Sequence, residues 1–106
     1  FFASELIREQ LFALYSQEIP HAVAVMIDQF IEGGQADIVR ATLFVERDGQ
    51  KGILLGKGGG ALRQLSDRAQ QSIASFTGRP VELDLWIKVR KNWRKDSNAL
   101  KEFGYI

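Results

Sequence analysis

A chain of 106 residues, 45% apolar and 25% charged, has room for one domain with a real core and is too short for two ordinary ones. It has no cysteine and a single histidine, which excludes disulfides and thiolate metal sites and argues against a protein-built zinc centre. The net charge of +1 hides a split: residues 1–50 carry three basic side chains against eight acidic, residues 51–106 eleven against five, so one end should face an anion.

The longest unbroken apolar stretch, Ala22 to Ile27, is far short of the roughly 18–20 residues that span a bilayer. No secretory or transit pattern is visible. A first residue of Phe1 instead of methionine leads us to expect a piece of something longer.

Ser4 is placed to cap a helix, with Glu5 in the first turn, and Leu6, Ile7, Leu11, Leu14 and Tyr15 recur at helical spacing. Pro20 is expected to end that helix. Ala22 to Ile31, rich in β-branched and apolar residues, reads as a largely buried strand, and Glu32-Gly33-Gly34-Gln35 as a turn. Ile38 to Arg47 alternates, with Val39, Ala41, Leu43 and Val45 on one face and Arg40, Thr42 and Glu46 on the other; the short link predicts an antiparallel hairpin.

Asp48-Gly49 closes this strand, and Gln50 to Leu55 is a short apolar element, read as a helix because a glycine turn and a clear helix come directly after it. In that second helix Leu62, Leu65, Ala69, Ile73 and Phe76 form one apolar stripe, opposite Arg63, Gln64, Asp67, Arg68, Gln70 and Gln71. Gly78 and Pro80 stop it. Val81, Leu83, Leu85, Ile87 and Val89 then alternate with Glu82, Asp84, Trp86, Lys88 and Arg90 in a half-buried strand. A basic, aromatic tail comes last, Lys91-Asn92-Trp93-Arg94-Lys95, with a short helix between Asp96 and Phe103. The expected class is α+β: a three-stranded mixed sheet with helices packed on one face, in the order helix, strand, strand, helix, helix, strand, tail.

The glycine run Gly56-Lys57-Gly58-Gly59-Gly60 is not a nucleotide P-loop, which needs G-x-x-x-x-G-K-[ST]. Three residues, not four, separate Gly52 from Gly56, and Gly58 stands where Ser or Thr should be. A dinucleotide fingerprint fails as well, for want of a long alternating helix–strand chain. What remains is G-x-x-G between two helices. Glycines there let a phosphodiester chain approach the backbone, the helix-opening amides favour an anion, and Lys57 adds a mobile cation.

This placement resembles the KH domain of the type II topology, whose loop clamps the backbone of about four nucleotides. Val45-Glu46-Arg47, Gln50-Lys51-Gly52-Ile53, the Gly56–Gly59 loop, Trp93-Arg94-Lys95-Asp96 and Gly104-Tyr105 are similar to the C-terminal domain of the Era family of bacterial GTPases. Ser4 to Arg8 and Ile19 to Val25 fit the helix and strand that open that domain, so the resemblance covers essentially residues 1–106 as a single domain. Gly60 departs from it, where a charged residue is common, and should loosen the start of the long helix. The resemblance implies binding of single-stranded RNA, specifically the 3′ end of small-subunit ribosomal RNA, with the small ribosomal subunit as partner. It also implies cytoplasmic ribosome assembly and an N-terminal GTPase domain that alone would hold GTP and magnesium. This chain is then expected to catalyse nothing and to need no cofactor. Membrane association, sometimes attributed to the family, has no segment here to support it.

On this basis Gly56, Lys57, Gly58 and Gly59 are assigned to phosphates. Ile53, Leu54 and Leu62 are candidate floor for splayed bases, Arg47, Lys51 and Arg63 candidate flanks, and Trp93 with Arg94 a candidate clamp. Each has a plainer alternative: core for Ile53, Leu54 and Leu62, solvated charge for Lys51, Arg63 and Arg68, sheet packing for Trp93. His21 lacks any serine–carboxylate set and carries no catalytic role, and Asp28/Glu32 and Glu82/Asp84 read as exposed strand or turn residues. The rival functions are the RNA-binding domain of another ribosome-associated protein and a protein-interaction module docking through the sheet or the tail.

Overall fold

The computed structural model describes residues 2–16 and 18–105. In chain order its elements are α1 (Phe2–Leu14), α2 (Glu18–Ala22), β1 (Ala24–Ile31), β2 (Asp37–Val45), α3 (Asp48–Leu55), a 3₁₀ turn (Lys57–Gly59), α4 (Gly60–Thr77), β3 (Val81–Val89), a second 3₁₀ turn (Trp93–Lys95) and α5 (Ser97–Glu102). The sheet order is β1-β2-β3. β2 runs antiparallel to β1 and parallel to β3, with Asp37 opposite Val81 and Val45 opposite Val89. The mixed sheet arises from the connections, a hairpin before β2 and a two-helix crossover after it.

Alternation puts Val39, Ala41, Leu43 and Val45 on one face of β2, all fully buried. Onto them pack Ile7 and Leu11 of α1, Leu54 of α3, and Leu65, Ala69 and Ile73 of α4, the i, i+4 stripe expected for α4. Replacing Leu65 or Ile73 by alanine in such a core typically costs about 2–5 kcal/mol. Phe76 leaves the stripe and is 64% exposed. At that point α4 meets the start of α1 instead of the sheet, and Phe76 stacks on Phe2 with centroids 4.7 Å apart.

Several boundaries differ from expectation for local reasons. Ser4 lies inside α1, which begins at Phe2 and ends at Leu14, well before Pro20. Pro20 sits in the first turn of α2, where its fixed φ suits a helix and its missing N–H would have had no partner. Because α2 takes Ala22, β1 starts at Ala24, and as an edge strand it is exposed at Asp28, Gln29 and Ile31 instead of largely buried. β2 stops at Val45 because Gln50 folds back: its Oε1 accepts from the Glu46 and Arg47 N–H groups at 2.7 and 3.2 Å, which starts α3 at Asp48.

Two side-chain devices brace the ends of the sheet. At one end Asp37, 2% exposed, accepts from Gly33 N–H and Arg79 Nε at 3.0 Å each, while Arg79 Nη2 donates to Gly34 O at 3.2 Å. At the other end the tail crosses to the face away from α1 and α4. Trp93 is 3% exposed there, packs with Ala24 and Ala99, and donates from Nε1 to Ala22 O at 3.0 Å. Arg8 binds Pro20 O, Val23 O and the Tyr105 hydroxyl, fastening α1 to α2 and the tail. The free edge of β1 is bent by a register shift between Ile27 and Gln29, where Asp28 accepts from Thr42 Oγ1 at 2.7 Å. No helix among the described residues is long and apolar enough to cross a membrane.

Candidate nucleic-acid interface

The last turn of α3 closes with Gly56 N–H on Gly52 O at 3.0 Å, and the chain then reverses into α4. Gly56 has φ 70°, and a Cβ there would lie 2.6 Å from Ala61 Cβ and 3.0 Å from Ala61 N, so only glycine lets α3 and α4 meet this closely. Gly58 and Gly59 are also left-handed, with φ 62° and 76°, but face open space. Gly59 N–H bonds Gly56 O and Gly60 N–H bonds Lys57 O. The amides of Gly56 and Gly59 are therefore spent inside the loop, and those of Lys57 and Gly58, at its exposed crest, are the ones outside these bonds. Gly60 is ordinary helix, φ −66° and ψ −36°.

Beside the crest a groove of about 320 Å³ runs between α4 and β3, lined by Gly59, Leu62, Arg63, Ser66 and Asp67 on one wall and Leu83, Asp84 and Leu85 on the other. β3 is an edge strand, so one side of its backbone faces this groove. Pro80 O and Arg90 N–H point to β2, bonding Asp37 N–H and Val45 O. By alternation the peptide groups of Leu83, Leu85 and Ile87 point the other way. Those of Leu83 are taken by α4: Gln70 Oε1 accepts its N–H at 2.9 Å, and Ser66 Oγ reaches its carbonyl at 3.5 Å. The groove thus offers a cation at Arg63, an apolar wall at Leu62, and strand peptide groups beyond Leu83 for hydrogen bonding.

Besides Gly56 at the helix junction, the sequence-derived site residues separate by position. Lys57, Gly58, Gly59, Leu62 and Arg63 surround the crest and groove, and exposed Lys51 and 55%-exposed Ile53 lie on the outer side of α3, which leads to the loop. Leu54 is fully buried in the core and cannot floor a base site; helix neighbours point about 100° apart, and here Ile53 faces out while Leu54 faces in. Arg47 and Arg94 line a separate depression with Glu18, His21 and Gln50, at the start of α3 and so about 12 Å along the helix from the loop. Arg94 Nε and Nη2 both donate to Glu46 Oε1, at 2.9 and 2.7 Å, so its charge is already matched. Trp93 is buried with its N–H satisfied and presents no face for stacking.

Sequence reasoning missed Ser66, Leu83 and Leu85, and placed Asp67 and Gln70 only on a solvated face. Positions 62, 63, 66, 67 and 70 share one side of an α-helix, which was the available signal. Tyr15 was read only as core; its hydroxyl also donates to Leu54 O at 2.7 Å, beneath the loop, and burial pushes its pKa up. No group of His, Asp or Glu side chains among the described residues could hold a metal ion.

The family model described as "KH domain" matches residues 18–94. The chain is 47% identical over 106 residues to GTPase Era of Lactobacillus helveticus (strain DPC 4571), covering 99% of this chain and 35% of that protein. It is 46% identical over 107 residues to GTPase Era of Staphylococcus haemolyticus (strain JCSC1435), covering 100% of this chain and 36% of that one. It thus spans about a third of the length of these curated relatives. Among solved structures, a tyrosine-to-alanine variant of Aquifex aeolicus Era bound to GDP.AlF4− superposes with a TM-score of 0.92 at 34% identity, over 98% of this chain and 36% of that one. Era in complex with MgGDPNP and nucleotides 1506–1542 of 16S ribosomal RNA gives 0.91 at 34% identity, over 97% and 35%.

Proposed function

Because this chain belongs to the KH domain family, we propose that it binds single-stranded RNA, gripping the backbone at the Lys57–Gly58 crest and reading bases in the groove between α4 and β3. The observation that carries this is the crest itself. Gly56 lets α3 and α4 meet closely, so two amides outside the loop's own bonds and a lysine are presented beside a groove edged by strand peptide groups. Lys57, Arg63 and Lys51 supply positive charge for the phosphates, and Leu62 and Ile53 supply apolar surface. Identity would be read by hydrogen bonds and aliphatic packing, since no aromatic side chain among the described residues lines the groove.

The RNA is the 3′ end of small-subunit ribosomal RNA, a reading supported by the related Era structure that holds nucleotides 1506–1542 of 16S ribosomal RNA. In the whole protein this unit would bring a GTPase to the assembling small subunit in the cytoplasm. GTP and magnesium would sit on the remaining two-thirds of the relatives' length, a reading supported by the GDP.AlF4− and MgGDPNP named with the related Era structures.

The test is a titration with a short ribosomal 3′-end oligonucleotide against a scrambled one. Affinity should fall with salt at a log–log slope of about −0.7 per phosphate neutralised, and Lys57→Ala should reduce that slope by about 0.7. The double change Lys57→Asp with Gly58→Asp should nearly abolish binding. Equal binding by the scrambled RNA would remove the sequence assignment, and intact binding by the double variant would remove the loop.

A further inference from the structure

The loop's geometry depends on where α3 ends, and α3 is only eight residues long. Like any helix it leaves its last carbonyls without intrahelical partners. Gly52 O is closed by Gly56 N–H, and Leu54 O, two residues before the loop, is closed from another element by the Tyr15 hydroxyl at 2.7 Å. Tyr15 is itself fixed, because its N–H continues α1 by bonding Leu11 O at 3.0 Å and its ring packs on the core. The bond joins residues 39 positions apart in the chain, so it ties the last turn of α3 to a separate helix. The ring would fill the same space without its hydroxyl, so core packing alone does not account for the oxygen.

We propose that Tyr15 is a positioning residue for the RNA-gripping loop: by holding Leu54 O it pins the end of α3 to α1 and sets the pose of Gly56–Gly59 against α4. This rests on the RNA-binding reading above and adds to it a residue outside the groove. Burial keeps the hydroxyl protonated, and hence a donor, across the neutral range. Loss of the bond would leave a carbonyl short of a partner and let the last turn of α3 fray. The Gly56, Gly59 and Gly60 amides, bonded to Gly52 O, Gly56 O and Lys57 O, would then lose protection together.

Tyr15→Phe removes the oxygen and keeps the ring. Amide hydrogen exchange, melting temperature and affinity for the ribosomal 3′-end oligonucleotide are compared with the parent chain. We expect faster exchange confined to Gly56, Gly59 and Gly60, a melting temperature lower by only a few degrees, and an affinity roughly three- to tenfold weaker, the worth of one hydrogen bond. The salt slope should be unchanged, because no phosphate contact is removed. Unchanged exchange at these glycines overturns the proposal. So does faster exchange spread evenly over β2 and α4, which would mark Tyr15 as ordinary core, or raised loop exchange with undiminished affinity. If the parent chain binds no RNA, the function proposed above fails, and the exchange comparison still decides whether Tyr15 holds the loop.

Discussion

Gly56 and Gly60 are four residues apart and respond oppositely to an added methyl group. At Gly56 it would strike Ala61 in a left-handed backbone, whereas at Gly60 it would enter open space on a helical backbone. Gly56→Ala should therefore destabilise the fold and disrupt the loop, while Gly60→Ala should raise stability by about 0.4–1 kcal/mol, both read by urea unfolding. Gly60 weakens α4 through the entropy of the unfolded chain and leaves the folded loop unchanged. Asp37 is the residue with a legible acid response. Chiefly the Gly33 N–H, and then Arg79, hold its carboxyl below the usual carboxylate range. Its contribution is present above the unfolded-state value of about 3.9 and is lost as pH falls through the lower folded value. Melting temperature should fall across that acid window in the parent chain and more gently in Asp37→Asn, so the gap between them narrows as pH drops. The loop was legible because positive φ and close approach leave a glycine signature in sequence. The choice between Ile53 and Leu54 was not, since two adjacent apolar residues in a short helix look alike until the helix is oriented.

Among the elements, the tail shows how composition misleads. A basic segment with a tryptophan fits an RNA clamp, but here the tryptophan seals the far face of the sheet. Trp93→Ala should cost about 3–5 kcal/mol in unfolding experiments while leaving the salt slope of RNA binding unchanged, because the loss is one of packing. The same burial ties the tail to its own domain, so docking through it would require undocking it first. The open sheet face keeps an exposed tryptophan, Trp86, at 63%. Alternation and helical stripes disclosed β2, β3 and α4 because burial on one face writes a period into the side chains. The groove's strand wall left no such mark, because Leu83 and Leu85 contribute peptide groups, which every residue has. β1 was overdrawn for the related reason that apolar composition does not distinguish an edge strand from a central one.

Across the whole molecule, the charge split of the sequence is only partly a property of the surface. Arg79 is matched by Asp37, Arg90 by Glu102 and Asp96, and Arg94 by Glu46, so three basic residues of the second half serve as internal ties. Near the loop the cations without such ties are Lys51, Lys57 and Arg63 among the described residues, a modest set that should give a shallow salt slope of about −2. The partly capped edge of β3 also governs how copies of the molecule meet. A strand that offers its peptide groups to a ligand offers them equally to another copy of itself, and a three-stranded sheet has two such margins. The kink at Asp28 spoils one of them, and Gln70 with Ser66 occupies part of the other. Gln70→Ala should therefore raise light scattering at high protein concentration, and ribosomal 3′-end RNA should suppress that rise by filling the groove. Solubility in the free state and affinity in the bound state would then draw on the same few peptide groups.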